Sequence, residues 1–520
     1  MRNYCRERSE TLYTLLNGFE SDFYGLIRCT HQMLPTNACA LTYFHRCILQ
    51  DSEVDWATES RKMGDIYANA TCTIAATAAE DSYDGLFFNR RPSSILPRRL
   101  EFDFSFGAAW LEGKDDNFAL SGTYLCDYME LAGKCIELAP LNQRAWVSQE
   151  RQLSRRLLHF TSTQIFWECY ENVACETYPE RLPDWAQPFW LNDATGLKYR
   201  LSNLTEQNED DTSKSSIPWN RFKVLDYDTY YAWGVYRYQF SGCALTHETD
   251  KLVAIQGIAS RVSQATGDQF IAGIWRSRVV EELCWFKDII RPTVKPTQWL
   301  APSWSWANSI SLTLFSLLTK FHGNHAGHHI EAEVIDFDVH AKPSGQLESA
   351  ALRIKCRPLH ATFIPTETPD SNEDEDLGSI GIVDQEGSIL DLRLSRPIYM
   401  ATTEFKVDDA GMSESLSGYI VVMHRCLHSH TSEMSRDVNG LENEPGDSHV
   451  NCEEEDMDSD IEEYVPMHDR GMVEALFLQR HDEVGNVFER KGLVRFYDSP
   501  TVDKILKAHH LADDRVITLV

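Results

Sequence analysis

Glu59 sits in Asp55-Trp56-Ala57-Thr58-Glu59, three residues after Trp56 and one helical turn before Met63. A carboxylate on a helix that follows a strand can point into the cleft at the end of a sheet, where open α/β folds bind ligands. The residues alone favour a plainer arrangement, a solvated helix carboxylate paired with Lys62. A second block is dense in guanidinium groups: Arg144-Ala145-Trp146, Gln149-Glu150-Arg151 and Ser154-Arg155-Arg156. Arg144, Arg151 and Arg155 offer forks suited to phosphate or carboxylate. The preferred reading is a buried structural network in which Glu150 pairs with an arginine and Trp146 packs in the core. It expects Arg144→Ala to lower thermal stability.

Other chemistry is thinly supported. His31 with His45, and His322, His325, His328 and His329 in a Gly/Asn/His loop, raise a metal question, but no cysteine or carboxylate frames the loop cluster at ligand spacing. No metal site is expected. Dinucleotide, phosphate-loop, zinc-protease, serine-hydrolase and calcium-loop patterns are absent. Trp304 and Trp306, flanked by Ser303 and Ser305, are expected to pack across a domain junction.

The elements that must position these groups follow from periodicity. Cys47-Ile48-Leu49 is a short apolar run stopped by Asp51-Ser52, as at a strand end. Trp56, Met63, Ile66, Tyr67 and Ala70 then recur at near-helical spacing, with Asp55 placed as an N-cap. Thr71–Ala76 reads as a buried strand, completing a βαβ-like unit. Leu100–Leu111 alternates in its first half, which suggests a strand and hairpin. Leu141–Leu158 reads as a helix, Gln164–Cys169 as a strand, and Asp228–Ser241 and Asp250–Gln264 as helices. Beyond about residue 310 the chain turns strand-rich, with strand signals over Ile330–Val339, Ala351–Cys356, Ile380–Leu394, Tyr419–His424, Val473–Gln479 and Gly492–Tyr497. Asp437–Glu463 is strongly acidic without Lys or Arg and is expected to be disordered.

Composition bounds the function. With 520 residues, 42% hydrophobic and 25% charged, the chain has material for two or three domains. Lys and Arg total 49 against 79 Asp and Glu, a formal net charge of -30. So acidic a chain is a poor partner for nucleic acid, whose phosphates need cations, and for anionic membranes. No segment reaches the roughly 20 apolar residues of a membrane helix, and Met1–Glu10 lacks the apolar core of a signal peptide. The 14 cysteines are scattered, with no CxxC pair. They read as buried thiols of a reducing, cytoplasmic compartment.

Three motifs carry a family resemblance. Cys47-Ile48-Leu49-Gln50-Asp51-Ser52, Asp55-Trp56, Glu59, Met63, Ile66-Tyr67, Asn69-Ala70 and Thr73-Ile74-Ala75-Ala76 resemble the signature of the fungal heterokaryon-incompatibility (HET) domain. Arg144-Ala145-Trp146, Gln149-Glu150-Arg151, Leu153-Ser154, Arg156, Leu158, Phe160 and Gln164–Cys169 resemble that family's second block. Leu245-Thr246, Asp250-Lys251-Leu252, Ala254-Ile255, Gly257-Ile258-Ala259, Gly273-Ile274-Trp275 and Ala301–Ala307 resemble the region that follows the domain in many such proteins. The family's opening strand has no counterpart near the N-terminus, and Phe44 replaces the Asp of its next strand.

The resemblance implies an α/β N-terminal domain over 1–150, TIR/flavodoxin-like and lacking its first strand. A helical middle region over 151–310 carries the Trp304/Trp306 motif. A β-rich region over 311–520 makes the whole α+β, with its disordered acidic loop at about 433–468. It further implies non-self recognition linked to programmed cell death. Partners would be other incompatibility or signalling proteins, or a second copy through self-association. Remote likeness to TIR domains implies Glu59 as a catalytic glutamate for cleaving NAD, with no resident cofactor. A non-functional remnant is the remaining alternative.

Overall fold

A computed structural model describes residues 52–81, 83–90, 98–106, 118–126, 132–183, 186, 196–201, 226–287, 296–315, 328–365, 376–383, 387, 389–395, 403–407, 415–426, 472–481, 485–497 and 499–520. The strand expected over Cys47–Leu49, with Gln50 and Asp51, lies outside these residues, as do the acidic stretch 437–463, His31, His45, His322 and His325. The chain divides into two compact units: residues 1–316, 336–353 and 519–520, and residues 317–335 and 354–518. Helices and strands are mixed throughout, an α+β composition.

In the first unit, helix α1 (Glu53–Asn69) starts at Ser52, not Asp55. The backbone of Ser52 is extended and its hydroxyl accepts from the Asp55 amide at 3.3 Å. Asp55 instead occupies the first turn, where a carboxylate meets the positive end of the helix dipole. Ser60, Met63 and Tyr67 recur at intervals of three and four and are all buried. Strand β1 (Thr73–Ala75) follows. Strands β2 (Arg98–Phe106) and β3 (Phe118–Cys126) form an antiparallel hairpin running from Arg98↔Cys126 to Phe106↔Phe118.

The helix expected over 141–158 is shorter. A 3₁₀ turn at Pro140–Gln143 leads into α2 (Ala145–Leu153), and the Ser154 hydroxyl closes it by donating to the Glu150 carbonyl at 2.7 Å. Beyond it Arg156–Phe160 is strand β4, parallel to β1 with Thr73↔Leu157 and Ala75↔His159. Leu157 and His159 alternate inward, a period of two that a helix could not use. Strands β5 (Ile165–Cys169) and β6 (Val173–Cys175) continue antiparallel, giving the order β1-β4-β5-β6.

Two longer helices complete this unit, α3 (Tyr227–Ser241) and α4 (Lys251–Thr266). The Asp226 carboxylate caps α3 by accepting from the Thr229 amide at 3.0 Å. Gly267, at φ 75°, ends α4 in the left-handed conformation that glycine adopts without strain. Short pieces follow: β7 (Phe270–Ile271), β8 (Ile274–Trp275), α5 (Val279–Glu282), β9 (Phe286–Lys287) and β10 (Thr313–Leu314). Trp233, Trp275, Trp285, Trp304 and Trp306 are fully buried. Three of these indoles find acceptors: Trp285 donates to the Trp304 carbonyl, Trp304 to Leu519, and Trp306 to Gly273, whereas Trp233 and Trp275 have no acceptor among the described residues and pack edge to face, 5.1 Å between centroids. Gly273, at φ 100°, has no room for a side chain, since a Cβ would lie 2.8 Å from Ser305 Oγ.

The C-terminal half is strand-rich, as expected. It contains β11 (His328–Ile330), β12 (Glu333–Ala341), β13 (Leu347–Cys356), β14 (Leu359–Pro365), β15 (Asp376–Val383), β16 (Ile389–Ser395), β17 (Thr403–Val407), β18 (Leu416–Cys426), β19 (Met472–Arg480), β20 (Val487–Phe496), helix α6 (Ser499–Leu511) and β21 (Arg515–Leu519). The β12–β13 hairpin belongs mostly to the first unit. In the second unit the sheet runs β20-β19-β18-β14-β15-β16, with β17 on β20 and β11 on β18. Val502, Ile505 and Leu506 of α6 pack into its core with Phe477, Val494 and Phe496. His328 and His329 lie on β11 opposite Cys426 and Arg425.

Helices α1, α2 and α4 meet at glycines. A Cβ on Gly257 would fall 2.6 Å from the Gln149 amide, and one on Gly64 would fall 3.4 Å from the Gly257 Cα. Gly257→Ala is therefore expected to cost about 1–3 kcal/mol through overpacking, read as a lower denaturant midpoint of the full chain. An unchanged midpoint would show that the crossing has slack.

Candidate functional site

Helix α2 carries the densest signature block, and successive side chains leave it toward different elements. Trp146 meets Trp56 of α1 edge to face, with ring centroids 6.2 Å apart. Gln149, 1% exposed, accepts from the Gly257 amide of α4 at 3.2 Å. Glu150 accepts from the Tyr67 phenol of α1, which burial first and this carboxylate second hold in its protonated form by raising its pKa. Ser154 shares a 2.6 Å hydrogen bond with Thr73 of β1. The motif positions Trp56, Met63, Tyr67, Trp146, Gln149, Glu150 and Ser154 thus form one interhelical junction. Ala70 is its quiet end, capping α1 through its amide to the Tyr67 carbonyl.

Arg151 leaves α2 toward the sheet and enters a buried ionic cluster. Its Nη2 donates to Glu137 at 2.7 Å and its Nε to Glu168 of β5 at 2.8 Å. Lys198, on the short helix 197–201, donates to the other Glu168 oxygen at 2.8 Å and to the Arg151 carbonyl at 3.1 Å. His159 of β4 touches Glu168 through Nε2 at 3.2 Å and Thr77 through Nδ1 at 3.0 Å. An ionised carboxylate only accepts, so Nε2 carries the proton and the Thr77 hydroxyl donates to Nδ1.

The electrostatics follow from burial and pairing. Burial alone would raise Glu168, but Arg151 and Lys198 hold it well below the usual carboxylate range. Burial opposes the charge of Arg151, yet Glu137 and Glu168 outweigh it and raise its pKa. Glu137 is raised by burial against the pull of Arg151. Burial lowers both His159 and Lys198, against the pull of Glu168. With His159 neutral, two cations face two carboxylates. Thr77, His159 and Glu168 stand in the hydroxyl–imidazole–carboxylate order of nucleophilic catalysis. Thr77 and His159 are both 0% exposed, however, so no substrate reaches the hydroxyl. The arrangement holds structure together.

The remaining sequence candidates fall elsewhere. Glu59 is partly exposed on α1, and Lys62 Nζ donates to it at 2.7 Å. Arg144 is exposed; its backbone bridges to Ala244 at the entrance to α2. Arg156 reaches the Thr71 carbonyl at 3.5 Å. Trp304 and Trp306 are enclosed in the first unit, where Lys251 lies 5.1 Å from the Trp306 ring and donates to the Ser309 carbonyl. Beside them Arg237 pairs with Glu282, both fully buried, and burial pushes Glu282 up to about 7. Cys47, Gln50 and Asp51 lie outside the described residues. Glu137, His159, Glu168 and Lys198 were missed from sequence. A charged residue alternating inward with Phe166 on β5 was the signal for Glu168. Cys72, Cys135, Cys169, Cys175, Cys243, Cys284 and Cys356 are free thiols. No described helix is long and apolar enough to cross a membrane.

Residues 45–150 match the family model described as heterokaryon incompatibility protein (HET). No curated protein and no solved structure matches the chain. The matched stretch ends inside α2, so the junction it contributes to continues into β1–β4 pairing and α4 beyond it.

Arg151→Met is expected to cost about 3–5 kcal/mol, because it strands two carboxylates against one cation. Arg144→Ala, at an exposed position, should change stability by less than about 0.5 kcal/mol. Denaturant midpoints of the two variants check both; equal losses would mean the arginine block is supported differently.

Proposed function

We propose that this chain, whose residues 45–150 carry a HET domain, is a heterokaryon-incompatibility protein that acts in non-self recognition and signals programmed cell death. The family match carries this reading. It is supported by the way the matched residues are used: Trp56, Tyr67, Trp146 and Gln149 are committed to packing α1, α2 and α4 together. The protein's partners are other incompatibility or signalling proteins, or a second copy of the chain.

A second reading, cleavage of NAD by a TIR-like site, rests on Glu59. Its side chain is 28% exposed on the α1 surface three residues from Trp56, within reach of solvent and substrate. There a carboxylate would hold the ribose hydroxyls and stabilise an oxocarbenium-like transition state as the glycosidic bond breaks. The Lys62 pair would have to open first.

Induced expression in a filamentous fungus tests both. Growth arrest with unchanged intracellular NAD, equal in wild type and Glu59→Ala, is the expected result. A fall in NAD abolished by Glu59→Ala would transfer the function to catalysis. Normal growth, with the chain as given and with an upstream-extended start, would contradict the incompatibility reading.

A further inference from the structure

The buried ionic cluster has a property that packing alone does not require. Its balance depends on one uncharged imidazole. Arg151 and Lys198 are matched by Glu137 and Glu168, and His159 is the fifth member, enclosed at 0% exposure. Among the described residues the charged groups acting on its ring are Glu168 from β5, Arg151 from α2 and Lys198 from helix 197–201. Glu137 faces the cluster through Arg151. Thr77, after β1, supplies a hydroxyl and no charge.

Protonation of His159 has a ready hydrogen-bond rearrangement. Nδ1 would then carry a proton toward Thr77 Oγ1, which must turn from donor to acceptor. The Thr77 hydroxyl already lies 3.4 Å from the Ala75 carbonyl, so its proton has a second acceptor. The ring therefore keeps both partners in either state. The charges do not stay balanced, because a third cation now shares two carboxylates inside the protein, where like charges repel strongly.

The two original cations are not equally anchored. Arg151 is a residue of α2, held by Glu137 as well as Glu168. Lys198 has one carboxylate, Glu168, and one carbonyl. It stands on a helix whose described length is residues 197–201, seated by Leu197 and Leu201 and tied to α3 through Arg200, which meets the exposed Asp228 carboxylate at 3.1 Å, a solvent-facing pair that contributes little. Imidazolium at His159 keeps the Glu168 Oε2 that it shares with Arg151, and its added positive charge weakens the hold of Glu168 on Lys198, the cation with fewer anchors.

We propose that this cluster is an acid-opened latch: proton uptake at His159 displaces Lys198 from Glu168 and releases helix 197–201 from the sheet. The sign follows from linkage. Burial holds the His159 pKa below that of the unfolded chain, so the closed latch excludes the proton and loses stability as pH falls. Nothing in the latch depends on which activity the HET domain serves.

Hydrogen exchange of the full chain by mass spectrometry, corrected for intrinsic rates, tests it between about pH 7.5 and about pH 5. Peptides covering 196–201 should gain exchange as pH falls, approaching about tenfold per pH unit below the His159 titration, while α4 stays protected. His159→Gln should keep 196–201 protected throughout, and Glu137→Gln, which removes the other acid-titrating group, should leave the transition in place. Lys198→Met should exchange fast at both ends of the range. Flat exchange in the wild type would overturn the proposal. So would a transition that survives His159→Gln, one abolished by Glu137→Gln, or a Lys198→Met chain that stays protected. If His159→Gln fails to fold, the Lys198→Met and Glu137→Gln results decide.

Discussion

Burying Arg151 is the constraint on which the first unit turns. Enclosing a guanidinium is costly unless its fork is filled, and filling that of Arg151 ties together three separated parts of the chain. Glu137 must come from the turn before α2, Glu168 from β5, and Lys198 must then neutralise the remaining Glu168 oxygen. Once Arg151 is oriented, the rest of α2 is oriented too. Gln149 faces Gly257 on one side, Trp146 faces Trp56 on another, and Ser154 is left against Thr73. One nine-residue helix thereby sets the position of α1, α4 and the β1–β4 pair.

How much of this was readable depended on whether a signal was local. The α1 stripe of Met63 and Tyr67 announces itself by period, and the observed bounds of α3 and α4 fall within two residues of expectation. Strand β4 was taken as helix because Arg155 and Arg156 extend a run that looks helical. Only pairing with β1, distant in sequence, exposes the alternation of Leu157 and His159. The N-cap lies three residues before the expected Asp55: Asp and Ser cap equally well, and Ser52 has the extended backbone of a cap. The arginine block was recognised as structural, but its partners were not. Glu150 pairs with Tyr67 in place of the expected arginine role, while Arg151 reaches Glu137 and Glu168. Such long-range ionic partners leave no mark beyond an inward-facing charge on a strand.

The family signature and the fold agree in an instructive way. Positions that define the motifs are mostly those that cannot vary without disturbing a contact: Gly257 for close approach, Gln149 as the wedge, Trp306 and Gly273 as a donor–acceptor pair. Glu59 is the exception. It lies partly exposed on α1, where Lys62 donates to it at 2.7 Å. The third motif, which begins at Leu245-Thr246 and runs into α4, packs against α1 and α2 through Gly257. The HET-matched residues and the middle region are therefore one physical object.

Native-state hydrogen exchange of the full chain across a denaturant series tests that unity most directly. Amides of α1, α2 and α4 should converge on one opening free energy, because Arg151, Gln149 and Gly257 make each helix depend on the others. A lower opening energy for α1 and α2, with α4 still protected, would contradict it and separate the HET domain from the region that follows.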